Sequence, residues 1–387
     1  MKQQRIFIIG AGIIGLSTAY ALLKAGMQKV IVLEQATVDH QRSSSHGISR
    51  LLRFEYGDDA FYSQMVHLSL QRWKQLEQGT RRTLYTSTGL LSLGNEDDHF
   101  TAESYYTLRD LGYAPERLTP QVCAQRFPQF DLHGYDLLLY NSNAGILHAS
   151  SCLHTLKECV ISLGGQVLEG HQVRFIDHDR SQGPIHLHLS SGEVFQADRI
   201  VIAAGPWVHR LLAELQLPVR VTRQYVLYFD NLPHFSFSQP AFPAFIADDL
   251  YGFPIHDGST GWLKATSHHF GSIVDPDDTP LIDEQAVALI AESLGRVLPA
   301  LKFADVAHID ACVYDVSLDE DFILDRFPTD PRIIFATGLT GHSFKFGLLL
   351  GEMLSSLLCE GPSPVPMEPF CLARFSQYLH TPTPSVA

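Results

Sequence analysis

The first polar–apolar feature of the chain is an uninterrupted apolar run at residues 6–9. Four apolar residues without alternation fit a strand buried on both faces. Residues 16–24 then carry a helical period, and a second apolar run, 30–33, ends at Glu34. The first 35 residues therefore read as strand, turn, helix, strand. Residues 58–80 are helical in pattern, with Phe61, Met65, Leu68, Leu70 and Trp73 on the apolar positions. A short strand pattern follows at 88–94, then helix and connecting loop over 102–129. A helix over 150–162 leads through Gly164-Gly165 into a strand over 166–173. Further strand patterns lie at 184–189 and 193–196. Residues 199–205 form a buried strand ending in glycine, which suits a central parallel sheet.

The pattern changes at 219–265. Residues 219–229 and 251–266 are rich in β-branched and aromatic side chains with turns between them, the mark of an antiparallel sheet. Asp275-Pro276-Asp277-Asp278 is a turn, and 283–298 is helical. The end returns to α/β character, with a strand at 332–336, a glycine turn and a helix from about 344 to 358. The expected fold is α/β: a Rossmann-like nucleotide domain, discontinuous in sequence, with an inserted α+β domain built on an antiparallel sheet. The expected division is 1–90, 145–215 and 316–387 for the nucleotide domain, and 91–144 and 216–315 for the inserted one.

Composition narrows the function. A chain of 387 residues suits about two domains, and 45% hydrophobic with 18% charged residues is an ordinary globular balance. A formal net charge of −14, without a dense basic run, excludes a nucleic-acid footprint. Any cationic site must then be built locally. The six cysteines are scattered and none forms a CxxC pair, which argues against zinc or a disulfide framework and for a reducing compartment, the cytoplasm. No metal site is expected. No apolar run reaches the roughly 18–20 residues needed to span a bilayer, so no membrane partner is expected. Lys2 and Arg5 ahead of an apolar stretch fit a nucleotide-binding turn better than a signal peptide. The terminal Thr381-Pro382-Thr383-Pro384 reads as a frayed polar tail, and Ser385-Val386-Ala387 does not read as a peroxisomal address.

Chemistry enters with Gly10-Ala11-Gly12-Ile13-Ile14-Gly15. Between a strand and a helix, with Glu34 about 20 positions on, this is a dinucleotide-binding pattern. Gly10 permits the turn, Gly12 lets backbone N–H groups approach phosphate, and Gly15 lets helix and strand pack closely. Glu34 would accept from ribose hydroxyls and disfavour a 2′-phosphate.

Four further segments carry candidate groups. In residues 46–53 a helix would place His46, Ser49, Arg50 and Arg53 on one face, with two guanidiniums suited to a carboxylate or a flavin oxygen. The preceding Ser43-Ser44-Ser45 suits phosphate contact or a helix cap. Cys312 and Tyr314 point to one side of a strand, where a buried structural cysteine and a core tyrosine are the plainer reading. Residues 336–346 form a strand, a glycine-bearing turn and the first helical turn. Lys345 there opposes the helix dipole, which hints at an anionic ligand, although a lysine reaching solvent is the plainer reading. Lys264 stands in an apolar, small-residue strand, either on a solvent edge or retained for its charge. His268 and His269 lack a third ligand at metal spacing.

Taken together these segments resemble the monomeric sarcosine oxidase family of flavoenzymes, within the D-amino-acid oxidase and glycine oxidase group. The family has a flavin-linking cysteine followed two residues on by a tyrosine, here Cys312 and Tyr314. Its Gly-His-Gly-Phe-Lys-Phe turn reads Gly341-His342-Ser343-Phe344-Lys345-Phe346 here. Its histidine-arginine segment is represented by His46, Ser49, Arg50 and Arg53, and its Tyr-Gly-Phe-Pro strand by Tyr251-Gly252-Phe253-Pro254, with Lys264 and His268 after it.

The resemblance implies FAD, tethered through Cys312 as an 8α-thioether. It implies substrate carboxylate binding by Arg53 and Lys345, an amine site formed by Tyr251, His268 and Tyr314, and oxygen activation at Lys264. The candidate cofactor contacts are Gly10, Gly12, Ile14, Gly15, Glu34, Ser44, His46, Ser49, Arg50, Val173, Gly205, Cys312, Gly338, Thr340, Gly341, His342 and Lys345. The implied reaction is C–N oxidation of a secondary amine or N-methyl amino acid, with O2 reduced to H2O2. The alternatives are an oxidase of a cyclic or primary amino acid, such as pipecolate or glycine, and a flavin dehydrogenase serving a quinone or carrier. A monomer acting on a small amine or amino acid is favoured. Ser343 in place of glycine, Ser267 in place of an aromatic residue before His268, and Asp315 after Tyr314 depart from the family pattern.

Overall fold

The computed structural model describes residues 2–178 and 183–376. The polar tail read at 381–387 lies outside them. The helices are α1 (Ile13–Lys24), α2 (Ala60–Thr80), α3 (His99–Asp110), α4 (Pro120–Arg126), α5 (Ala149–Ser162), α6 (Val208–Leu211), α7 (His234–Phe237), α8 (Glu284–Val297) and α9 (Gly347–Cys359).

A six-stranded sheet runs in the order β19 (Ile323–Phe327), β20 (Asp330–Thr337), β13 (Arg199–Ile202), β1 (Arg5–Ile9), β2 (Lys29–Leu33), β9 (Gln166–Leu168). All its pairs are parallel except β19–β20. The apolar run of β1 is divided between its two faces. Ile6 and Ile8 join the core beneath α1 and α9, while Phe7 and Ile9 pack into a separate cluster on the other face. Burial on both sides accounts for the absence of alternation in its sequence. Helices α1 and α9 approach closely because α9 presents Gly347 and Gly351. A Cβ at Gly347 would come within 2.4 Å of Ile13, and one at Gly351 within 2.5 Å of the Ser17 backbone.

The second large sheet has eight strands: β18 (Asp305–Ser317), β14 (Val219–Asp230), β17 (Leu263–Ser267), β16 (Leu250–Gly252), β15 (Ala244–Ala247), β5 (Leu90–Gly94), β7 (Leu137–Asn141) and β6 (Glu116–Leu118). Its pairs are antiparallel as the sequence pattern predicts, save β15 with β5, which are parallel. Its own core includes Phe242, Phe245, Leu227 and Leu263, with Leu294 of α8. Two three-stranded sheets complete the fold, β10 (Val173–Asp177) with β11 (Ile185–Leu189) and β12 (Val194–Ala197), and β3 (Arg50–Leu52) with β8 (Gly145–Leu147) and β4 (Tyr85–Thr86).

One expectation fails here. Residues 46–53 are not a helix that carries His46, Ser49, Arg50 and Arg53 on one face. The His46 N–H closes a turn onto Ser43 O at 3.0 Å, Gly47 takes φ +129°, and Arg50–Leu52 pairs with β8 in antiparallel register. Eight residues holding a left-handed glycine cannot propagate a helix, and the strand offered by β8 satisfies the backbone instead. Lys345 likewise sits just before α9, in a 3₁₀ turn (Phe344–Phe346), rather than inside its first turn.

Candidate active site

The glycine turn builds one wall of the site. Gly10 has φ +102°, and a Cβ there would lie 2.4 Å from Ala203 O; a Cβ on Gly15 would lie 1.9 Å from Gly10 O. Both are backbone collisions, so only glycine serves at either position. At Gly12 the nearest atom is Ser45 Oγ, 3.0 Å from an added Cβ. Helix α1 has no cap from its own N-cap residue. Ser45 supplies one from outside, its Oγ accepting from Ile13 N at 3.0 Å. Glu34 closes the unit, with Oε2 accepting from Ala11 N at 2.8 Å.

These groups line a cavity of about 320 Å³ whose walls include Gly10, Gly12, Ile14, Glu34, Ser44, Arg50, Val173, Gly205 and Gly341. A second cavity, of about 190 Å³, is lined by His46, Arg50, Arg53, Tyr251, Lys264, His268, Cys312, Tyr314, Gly341, His342 and Lys345. Arg50, Tyr314, Gly341 and Phe344 belong to both linings, so the cavities adjoin. Gly15, Ser49, Gly338 and Thr340 line neither and act from behind the walls. Gly15 packs the helix on the strand. Ser49 O accepts from Lys264 Nζ at 2.8 Å. Thr340 N donates to Asp315 O at 2.8 Å, shaping the turn that begins at Gly338.

The cations are deeply set. Lys345 is 4% exposed, which excludes the solvent-reaching reading of the sequence. Its Nζ donates to Tyr56 Oη at 2.7 Å and to His342 O at 2.9 Å. Arg53 stacks over the Tyr56 ring at 4.4 Å, and its buried Nη1 has no hydrogen-bond partner among the described residues. A buried, unsatisfied guanidinium N–H is costly and awaits an acceptor. Burial, reinforced by the Arg53 charge, holds the Lys345 ammonium well below the usual lysine range. The same causes, with Lys345 added, depress His268 to about 4. His342 is lowered in the same way. The cavity thus gathers basic side chains that lower one another's proton affinity in a chain of net charge −14, the local site for an anion that composition required.

Lys264 is 5% exposed and lies on β17, inside the sheet between β14 and β16, so it is not an edge lysine. Its Nζ lies 4.9 Å from the Phe253 ring centroid. Burial, then the Arg50 charge, lowers it from 10.5 to about 7. Cys312 lies across the same cavity, its thiol raised chiefly by burial. Tyr251 and Tyr314 share a hydrogen bond and are both raised, first by burial.

Several working groups had no sequence signal. Tyr56 holds Lys345 and faces His342, yet it follows the arginine segment without a motif of its own. Asp310 lines the second cavity. Asp315, flagged only as a departure after Tyr314, accepts from Thr337 Oγ1 at 3.2 Å and Leu339 N at 3.3 Å, and burial raises its carboxyl to about 6. Alternation on β18 and proximity to Arg53 were the only available hints. Ser343 has φ −75°, a conformation open to any residue, so the exchange from glycine strains nothing. Ser267 is not among the residues lining either cavity.

A glycine-turn nucleotide cradle that shares a wall with a cation-lined chamber is the arrangement of an FAD-dependent oxidoreductase. The cradle's turn is closed on glycine at Gly10 and Gly15, where a Cβ would strike backbone oxygens, and the chamber holds a buried guanidinium N–H without an acceptor among the described residues, so the residues fit the cofactor and an anionic substrate. The model of the FAD dependent oxidoreductase family matches residues 5–357, and the chain belongs to that family.

The chain is 32% identical over 380 residues to the peroxisomal sarcosine oxidase of Homo sapiens, covering 95% of each. It is 28% identical over 383 residues to the monomeric sarcosine oxidase of Bacillus sp. (strain B-0618), again 95% of each. It is also 28% identical over 382 residues to the N-methyl-L-tryptophan oxidase of Salmonella dublin, covering 96% of this chain and 99% of the relative. Among solved structures it is similar to glycine oxidase from Geobacillus kaustophilus (TM-score 0.80, 19% identity, 97% and 99% of the two chains) and to NikD, an unusual amino acid oxidase essential for nikkomycin biosynthesis (TM-score 0.81, 19% identity, 96% and 98%). At that identity the likeness concerns the fold, which is the discontinuous nucleotide-binding domain with an inserted sheet expected from the sequence. Among the described residues no helix is long and apolar enough to cross a membrane.

Proposed function

We propose that this protein is a sarcosine oxidase-like FAD-dependent oxidase of secondary amines and N-methyl amino acids, releasing H2O2. The carrying observation is the meeting of Arg53, Lys345, Lys264 and Cys312 in one cavity beside the nucleotide cradle. Bound FAD would take the electrons of the C–H bond beside the amine nitrogen and pass them to O2.

The chain's own residues do the rest. Arg53 and Lys345 hold the substrate carboxylate, with the free Nη1 of Arg53 as the ready donor. Tyr251, Tyr314 and a neutral His268 border the amine. The positive charge of Arg53 lowers the proton affinity of a bound ammonium, as it lowers that of Lys345, so the reactive neutral amine forms at moderate pH. Lys264 supplies a fixed cation where oxygen gains negative charge. Cys312 is the attachment point for the cofactor. The division read from the sequence, 1–90, 145–215 and 316–387 against 91–144 and 216–315, then meets at the site, where Arg53 and Lys345 reach the substrate from the first part and Cys312 reaches the cofactor from the second. The protein works as a monomer in the cytoplasm.

Two measurements test this. Yellow colour that stays with acid-precipitated protein, and is lost from the precipitate of Cys312→Ala, supports FAD and its tether. A peroxide-coupled screen of N-methyl, cyclic and primary amino acids under air identifies the amine. Dye reduction without peroxide would overturn the oxidase reading in favour of a dehydrogenase.

A further inference from the structure

Three adjacent strands of the eight-stranded sheet set Lys264, Tyr228 and His308 in one row. Tyr228 of β14 is in register with Lys264 of β17 on one side and with His308 of β18 on the other. Residues opposed in this way share a face of the sheet. Two residues along β18, on the same face, stands Asp310, followed by Cys312 and Tyr314. Asp310 Oδ2 accepts from Tyr228 Oη at 2.6 Å, and its Oδ1 lies 2.8 Å from His308 Nε2. Its side chain is mostly buried at 23% exposure, whereas His308 is half in solvent at 52%. The reaction proposed above uses none of Tyr228, His308 and Asp310.

The charges around Lys264 show what Asp310 can do there. Arg50 on β3 opposes the ammonium, whereas His256 beyond β16, pushed down to about 4 chiefly by burial, is neutral near pH 7. Ser49 contributes only a carbonyl. Phe253 and the Tyr228 ring present π faces, at 4.9 and 6.0 Å. Cys312 adds no charge, since burial raises its free thiol and a thioether to the cofactor would be neutral. Asp310 is the carboxylate that acts on Lys264, and its own acid range is lowered despite burial by Tyr228, His308 and Lys264. Asp248 and Asp249 also line the cavity, but they sit at the tip between β15 and β16 and pair with Tyr135 and His269. His46, which Asp310 also favours in its charged form, has a closer partner in Asp39 at 2.8 Å.

We propose that Asp310 is the counter-ion that keeps Lys264 charged inside the cavity, and that Tyr228 and His308 exist to hold its carboxylate there. Asp310 is then a positioning residue for the oxygen side of the reaction, an inference that rests on the assignment of that side to Lys264. A hydrogen-bond staple between β14 and β18 is the competing role. Asp310→Asn separates the two, since the amide oxygen still accepts from Tyr228 while the charge is gone.

The test is the titration of the Lys264 ε-amine by NMR in the FAD-loaded full chain, with ε-15N-lysine labelling and Lys264→Met for assignment. In Asp310→Asn and Asp310→Ala the midpoint moves down by about one pH unit, the low end expected for losing a nearby opposite charge, and Asp310→Glu restores it. From a starting midpoint of about 7, the charged fraction at pH 7 then falls about fivefold, and kcat/KM for O2 falls with it; near pH 5 the difference vanishes. An unchanged midpoint in both variants overturns the proposal. A midpoint that moves while O2 reactivity does not upholds Asp310 as counter-ion and removes oxygen activation from Lys264 instead.

Discussion

Replacing Lys264 by methionine should make the protein more stable and a worse oxidase at once. Methionine matches the length and much of the volume of lysine and suits the Phe253 and Tyr228 surroundings. The native chain releases the Lys264 proton near pH 7, whereas the unfolded chain keeps it to about 10.5. Between those values the unfolded state binds more protons, so stability rises with pH. The burial cost of Lys264 is therefore fully present below pH 7 and gone above about 10.5.

At about 1.4 kcal/mol per pH unit this cost is at most about 5 kcal/mol. Against it stands the lost hydrogen bond to Ser49 O, about 1 kcal/mol, because Arg50 Nη1 still donates to that carbonyl at 2.9 Å. The net gain at pH 6.5 is about 2–4 kcal/mol. At about 2 °C per kcal/mol for a chain of this size, Tm rises by about 4–8 °C. The assay is thermal unfolding of the loaded wild type and Lys264→Met at pH 6.5 and pH 10, with anaerobic reduction by substrate and reoxidation by O2 measured on the same samples. Reduction should change less than about threefold and reoxidation should fall by roughly 10²–10³, the usual loss when a preorganised electrostatic group is removed. A variant that is no more stable at pH 6.5, or a Tm difference equal at both pH values, would refute the reasoning.

Other outcomes follow from the same geometry. Arg53→Gln should lower kcat/KM for the amino acid by about 10², mainly through KM, as measured by steady-state peroxide release, because a charge-assisted contact of about 3 kcal/mol is lost. Asp315 has its acid range raised from 3.8 to about 6, so its stabilising contribution is complete below pH 3.8 and lost as pH rises through 6. Urea unfolding of Asp315→Asn should therefore be flatter than wild type across that window, by up to about 3 kcal/mol. Gly341→Ala would place a methyl 2.4 Å from the Tyr314 ring at φ +69°; a shifted visible spectrum of the bound cofactor and a raised amine KM are expected. Ser343→Gly relieves no strain and should cost about 0.5–1 kcal/mol in thermal unfolding through added chain freedom.

Local pattern sufficed for much of this molecule. The four-residue apolar run of β1, the glycines after it and Glu34 specify their unit within 35 residues, because each element depends on neighbours close in sequence. The strand at 199–202 and the helix at 149–162 were legible for the same reason. Cys312 and Tyr314 share a face by alternation alone. What local pattern could not supply is whatever depends on partners far along the chain. Residues 46–53 have helical spacing but become a turn followed by the short strand Arg50–Leu52, because Gly145–Leu147 arrives from almost 100 positions away to pair with it. Lys345 and Lys264 each had a harmless surface reading. Only packing could decide it, by placing one beneath Tyr56 and the other between Phe253 and Tyr228. Spacing along a chain states which side chains can share a face, while burial and the charge of each neighbour are sums over contacts that exist only once the sheets have closed.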